Sequence, residues 1–184
     1  MPSAGCSIGH SAFEGTIIRE IDFKDNVING VCCMSCGNLN KVSIGSSCVV
    51  MANPIAECDS ISLLEGDGFV DNKYYLKDGV LSFANRNLVS GEDFIIPEGV
   101  LSISPYCFYN VDLGEVSLPE SINSIGVAAF MYASVTNDEF TLHASVENVD
   151  IQAFSVFESK KGNSVFNYKC PTSIDGTMND GGIC

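Results

Sequence analysis

The chain has no tryptophan and only two histidines, His10 and His143, among its 184 residues. Two histidines separated by most of the chain give no ready pair for proton transfer. Positive charge is also scarce. Nine Lys and Arg stand against 23 Asp and Glu, a net charge of −14. Such a surface repels phosphate backbones and anionic lipid, which argues against nucleic acid as a partner. No run reaches the roughly 18 apolar residues of a membrane span, so membrane insertion is not expected. Met1-Pro2-Ser3-Ala4-Gly5-Cys6 lacks the basic region and apolar run of a signal peptide. Gly-x-Ser-x-Gly, His-Glu-x-x-His and Gly-x-x-x-x-Gly-Lys are missing as well. The expectation is therefore a non-enzymatic chain with no catalytic residue, cofactor or metal. Low charge does not mean disorder here, because 46% of the residues are apolar and disorder needs the opposite balance.

What the chain has instead is a repeat. Ile96-Pro97-Glu98-Gly99-Val100-Leu101-Ser102-Ile103 leads to Phe108, Leu118-Pro119-Glu120-Ser121-Ile122-Asn123-Ser124-Ile125-Gly126 to Ala129-Phe130, and Leu142-His143-Ala144-Ser145-Val146-Glu147-Asn148-Val149 to Ala153-Phe154. The phenylalanines are 22 and 24 residues apart, and Val100, Ile122 and Val146 keep the same steps. Units this short cannot bury their own apolar face, so they must stack as a solenoid. The pattern extends back through Ile8-Gly9-His10-Ser11-Ala12-Phe13 and Val27-Ile28-Asn29-Gly30-Val31-Cys32-Cys33 to a degraded unit over 42–63. In that walk Cys33 and Ala56 take the phenylalanine place, and Ser104 and Asp150 take the glycine place. Five or six turns are expected.

Residues 64–93 break the period. Asp78-Gly79 sits between β-formers and suits a two-residue hairpin turn, followed by a polar connection over 84–93. The expected organisation is one continuous solenoid domain: N-terminal repeats 1–63, hairpin insert and connection 64–93, C-terminal repeats 94–158, and a polar cap or tail 159–184. The first unit begins midway, and an open end of this kind invites stacking on upstream repeats.

The motif Ile-Pro-x-x-Val-x-x-Ile-Gly-x-x-Ala-Phe followed by Leu-x-x-Val-x-Leu-Pro resembles the BspA-type leucine-rich repeat. The Tyr75-Leu76-Lys77-Asp78-Gly79-Val80-Leu81 element is similar to one frequent in that family. The resemblance implies a β-rich leucine-rich-repeat solenoid with short helical turns, and stacked short parallel strands plus one hairpin. It implies recognition of protein or glycan, as in adhesin-like proteins at cell surfaces. An intracellular interaction scaffold is the alternative, favoured by the missing signal peptide and the odd number of cysteines.

Nine cysteines invite a metal reading. Yet Cys32, Cys33, Cys48 and Cys107 fall on apolar repeat positions, where cysteine acts as a small hydrophobe. Cys33-x-x-Cys36 has no second such pair to complete a zinc site. Cys36 and Cys58 share one repeat position, and the resemblance implies that a buried side chain there supports the bend. Cys170 and Cys184 lie in the unpatterned tail, where a disulfide between them is a hypothesis. The expected binding face lies on the outward strand positions. One ladder contains Glu20, Lys41, Glu115 and Glu139, and the next Asp22, Ser43, Ser117 and Thr141. At about 4.8 Å per turn they would form a continuous polar face.

Overall fold

The computed structural model describes residues 5–160 and the strand at 165–168. The first turns supply β1 (Ser7–Ile8), β2 (Glu20–Asp22), β3 (Val27–Ile28), β4 (Lys41–Ile44), β5 (Val49–Val50) and β6 (Leu63–Gly66). The insert supplies β7 (Phe69–Val70), β8 (Tyr74–Lys77), β9 (Val80–Ala84) and a short helix α1 (Arg86–Val89). Then follow β10 (Phe94–Ile95), β11 (Ser102–Ile103), β12 (Val116–Ser117), β13 (Ser124–Ile125), β14 (Ser134–Val135), β15 (Glu139–Leu142), β16 (Asn148–Val149), β17 (Glu158–Ser159) and β18 (Val165–Tyr168). Strands this short have no stability alone and persist because each pairs with the turns beside it. Among the described residues the result is a solenoid of about seven turns with stacked parallel strands and almost no helix.

Two main strand columns run along the stack, with a shorter third row of Asp112, β14 and β17 beside them. The first contains β1-β3-β5 and β9-β11-β13-β16, and the second contains β2-β4-β6, then β10-β12, then β15-β18. All of these neighbours are parallel. Side chains alternate along the strands, and the inward apolar residues Ile28, Val42, Ile103, Ile125 and Phe140 are buried.

Between the columns, each turn makes a tight bend around the phenylalanine position. Phe108, Phe130 and Phe154 stack face to face, at 4.9 Å and 5.2 Å between centroids. Two residues further on, the backbone is left-handed in every unit: Gly15, Ser35, Glu57, Asn110, Tyr132 and Val156 have φ of 54–63°. Left-handed backbone is costly for residues with a Cβ. It is offset here because the kink turns an N–H along the stack: Ser35 donates to the Ala56 carbonyl, Asn110 to Met131 and Tyr132 to Ser155.

The degraded third unit has a register one residue earlier than the sequence pattern suggests. Cys33 donates its N–H to Pro54, as Phe108 does to Ala129, so Ile55 rather than Ala56 takes the phenylalanine place. Ile55 is the larger apolar side chain and fills the column, at 3% exposure.

The insert is an antiparallel hairpin. Lys77 pairs with Val80 around Asp78 and Gly79, both of positive φ, as a type I′ turn requires. Its strand β9 then joins the first column through β11, and the connection expected over 84–93 winds into α1 and buries Val89. The bends do not follow this detour. Asn53 of the third bend donates its N–H to Pro105 of the fourth, so the bend side passes directly across the insert. The strand side holds one more row there. The core accordingly divides in two, with Tyr75 and Phe83 packed among the N-terminal turns and Leu81 and Ala84 among the C-terminal ones.

Candidate functional site

The site grows out of one irregular step. Val116 and Phe140 hold equivalent core positions 24 residues apart, whereas the bridge from Asp112 to Ser134 just before them spans 22. The two additional residues lie between Val135 and Phe140, and they push the chain outward. Asn137 repairs the damage with its side chain. Its Oδ1 accepts the Val116 N–H at 2.8 Å, and its Nδ2 donates to the Val116 carbonyl at 2.9 Å. One amide thus stands in for a paired strand, because it offers one donor and one acceptor, as a peptide unit does. Strands β12 and β15 are left apart, and a groove of about 440 Å³ opens between them.

Asp93, Ile95, Glu115, Ser117, Asn137, Glu139, Thr141 and His143 line this groove. Asp93, Glu115 and Glu139 are exposed carboxylates, and Ser117 and Thr141 are exposed hydroxyls. Ile95 adds an apolar patch, 76% exposed. Asp93 is oriented by the Glu115 N–H, at 2.8 Å. A Cβ on Gly114 would sit 2.4 Å from the Asp93 Oδ1, so glycine there permits this close approach. At the far end His143, which stands where two other units have proline, brings Nε2 to 3.0 Å from the Leu118 carbonyl. The ensemble is acidic, hydroxyl-bearing and open, suited to a cationic or polyhydroxylated ligand.

The structure brings together Glu115, Ser117, Glu139 and Thr141. Glu20, Asp22, Lys41 and Ser43 form a separate group on β2 and β4, paired Glu20 to Lys41 and Asp22 to Ser43. The two groups do not make the continuous ladder expected from the sequence. The next neighbours of Lys41 and Ser43 are Leu63 and Glu65 on β6, and the hairpin follows. Glu65 also takes up the Lys41 charge, Nζ to Oε2 at 2.9 Å, which together with the nearby carboxylates raises the ammonium above its usual range. Sequence reasoning missed Glu65, Asp93, Ile95, Asn137 and His143 as members of this face. A 22-residue step back from Ser117 lands on Ile95, so part of the signal was present.

The cysteines serve the bends. Cys36 donates its thiol to the Phe13 carbonyl at 2.9 Å, and Cys58 donates to Cys33 at 2.8 Å. Each ties one bend to the previous one. Burial pushes the Cys58 thiol up to about 12 and raises Cys107 and Cys48. Cys33 hydrogen-bonds to Cys32, lowering Cys32 and raising itself. Among the described residues no group of three or more His, Cys, Asp or Glu is arranged to hold a metal ion. Cys170 and Cys184 lie outside the described residues.

The model of the BspA type leucine-rich repeat region matches six copies, over residues 1–65 and 80–174. The chain belongs to the BspA-type leucine-rich repeat family. The match omits 66–79, the stretch that carries β7 and β8, and resumes at Val80 in β9. BspA-type repeats are commonly protein-binding or adhesin-like, are often found in surface proteins and are typically non-catalytic. No curated protein and no solved structure matches the chain significantly. Among the described residues no helix is long and apolar enough to cross a membrane.

Proposed function

We propose that the chain is a non-catalytic, protein- or glycan-binding repeat domain of a cell-surface or secreted adhesin-like protein, and that its ligand seats in the groove between β12 and β15. The observation that carries this reading is the convergence of Asp93, Glu115, Glu139, Ser117 and Thr141 around one 440 Å³ opening. Carboxylates and hydroxyls gathered in one groove suit either the cations of a protein surface or the hydroxyls of a sugar. Family membership supports recognition over catalysis, and fold alone does not name the ligand. The test is binding to arrays of glycans and of immobilised matrix and serum glycoproteins. Glu115→Lys and Glu139→Lys each weaken retention about tenfold, the scale of one lost charge-assisted contact. Glu14→Lys, on the bend side, leaves retention unchanged. Equal losses on both sides would remove the groove as the binding site.

A second reading, an intracellular interaction scaffold, draws on a different observation. The seven described cysteines are free thiols, and Cys6 is exposed. Alkylation and intact-mass measurement on unreduced protein from its native source separate the two. A Cys170–Cys184 bond places the chain in an oxidising compartment, whereas nine free thiols favour the scaffold.

A further inference from the structure

The bend edge, on the other side of the solenoid from the groove, has a composition of its own. None of the bend segments 11–15, 31–35, 53–57, 106–110, 128–132 and 152–156 contains Lys or Arg. They carry Tyr106, Tyr109 and Tyr132 together with Met34 and Met131. Tyrosine and methionine are enriched where proteins dock, and lysine is depleted.

The rings form a connected row. Tyr109 lies 5.7 Å from Tyr106 and 5.7 Å from Tyr132, and His10 meets Tyr106 edge-on at 5.8 Å. His10 reaches across from the first bend because Gly30 has no side chain. A Cβ there would lie 2.5 Å from the imidazole. Tyr132 remains 45% exposed, and Tyr106 and Tyr109 are half-buried, so the row is anchored but accessible.

One carboxylate accompanies the row. Glu57 accepts from Asn110 Nδ2 at 2.9 Å and from Ser35 Oγ at 3.0 Å. Both are neutral donors, so the carboxylate is oriented while its charge stays unbalanced. It is close enough to act on Tyr109, whose phenol is raised by burial and then by Glu57. Aromatic faces and an oriented carboxylate together favour a planar cation, which stacks and forms directed hydrogen bonds. An extended chain places alternate side chains about 6.8 Å apart on one face, about 1 Å more than the 5.7 Å between neighbouring rings, a difference that long flexible side chains span.

We propose that this edge is a second docking surface, for an extended segment of a partner protein carrying arginine at alternate positions. The proposal does not depend on the groove.

The chain has no tryptophan and three of its six tyrosines are in the row, so the part of the tyrosine emission change that Tyr132→Phe alters reports on the row. The probe is a nine-residue peptide alternating arginine and serine, titrated at 0.15 M salt against lysine–serine and glutamate–serine peptides. The arginine peptide binds about tenfold tighter than the lysine peptide. Tyr132→Leu and Glu57→Gln each weaken it about tenfold, Tyr132→Phe keeps it, and Glu98→Gln, an exposed carboxylate on neither the row nor the groove, leaves it unchanged. Far-UV circular dichroism establishes that each variant is folded. Equal binding of the arginine and lysine peptides would overturn the proposal, as would losses at Glu115 and Glu139 instead of at the row. Binding of a neutral oligosaccharide that survives Glu57→Gln would also overturn it, assigning the row to a glycan.

Discussion

Asn53 is the side chain on which the two halves of the solenoid most directly depend. It is 3% exposed, and it spans the seam where the third bend meets the fourth. Its Nδ2 donates to the Tyr106 carbonyl at 2.9 Å and lies 3.4 Å from that of Cys107, while its Oδ1 accepts the Ile55 N–H at 2.9 Å. Asn53→Ala removes the bond to Tyr106, about 1 kcal/mol, and orphans the buried Ile55 N–H, about 1–3 kcal/mol more. The expected loss is about 2–4 kcal/mol, or roughly 5–15 °C in Tm for a chain of this size. Asn53→Asp keeps the acceptor for Ile55 but sets a carboxylate against two carbonyls. It is therefore at least as damaging near neutral pH, and milder once acidified. Urea unfolding followed by circular dichroism and tyrosine emission reads both variants. The Ala variant also has a lower m-value or two separated transitions, because the two cores lose their coupling. A loss below about 0.5 kcal/mol, with one unchanged transition, would mean that the seam does not rest on Asn53.

Tyr75 is buried and its hydroxyl has no hydrogen-bond partner, so Tyr75→Phe raises stability by about 1 kcal/mol, seen as a higher urea midpoint. Burial pushes the Tyr75 phenol and the Cys58 thiol each up to about 12. Both stay protonated in the fold while the unfolded chain ionises, so their contribution is intact at neutral pH and is lost as pH rises from about 9 through 12. Thermal melts across that range show falling Tm, and Tyr75→Phe flattens the part above about pH 10. Val156 is a β-branched residue at φ 55°, 59% exposed. Val156→Asn, which tolerates left-handed backbone, gains about 1 kcal/mol by the same melts, and an unchanged Tm would mean that the bend there relaxes.

Much of the fold could be read from spacing alone. The phenylalanine column, the parallel stack and the Asp78-Gly79 turn follow from periodicity and turn chemistry, both local properties of the chain. Residues whose roles arise only after folding were harder to see. The left-handed positions were hidden because Ser35, Glu57, Asn110, Tyr132 and Val156 occupy them instead of glycine. Ile55 and Ala56 are both apolar, and only the backbone bond from Cys33 to Pro54 distinguishes their register. The 24-residue step was visible in the sequence. Its effect was not, because it depends on how the Asn137 amide spans Val116. Of the expected ladder residues, Glu115, Ser117, Glu139 and Thr141 line one groove. The N-terminal half was set apart by a hairpin whose place in the stack no local pattern reveals.

The strand side holds a row at the insert that the bend side lacks, so the coil is wedge-shaped at that seam and two cores meet across it. Load along the axis is carried there by a few hydrogen bonds and one hairpin, whereas elsewhere each turn shares a continuous apolar core with the next. Pulled from its ends, such a coil yields first between Asn53 and Tyr106. The 51 residues between Asn53 and Pro105, with the hairpin among them, then form the remaining link between the two cores, so the seam is a hinge between the outer turns.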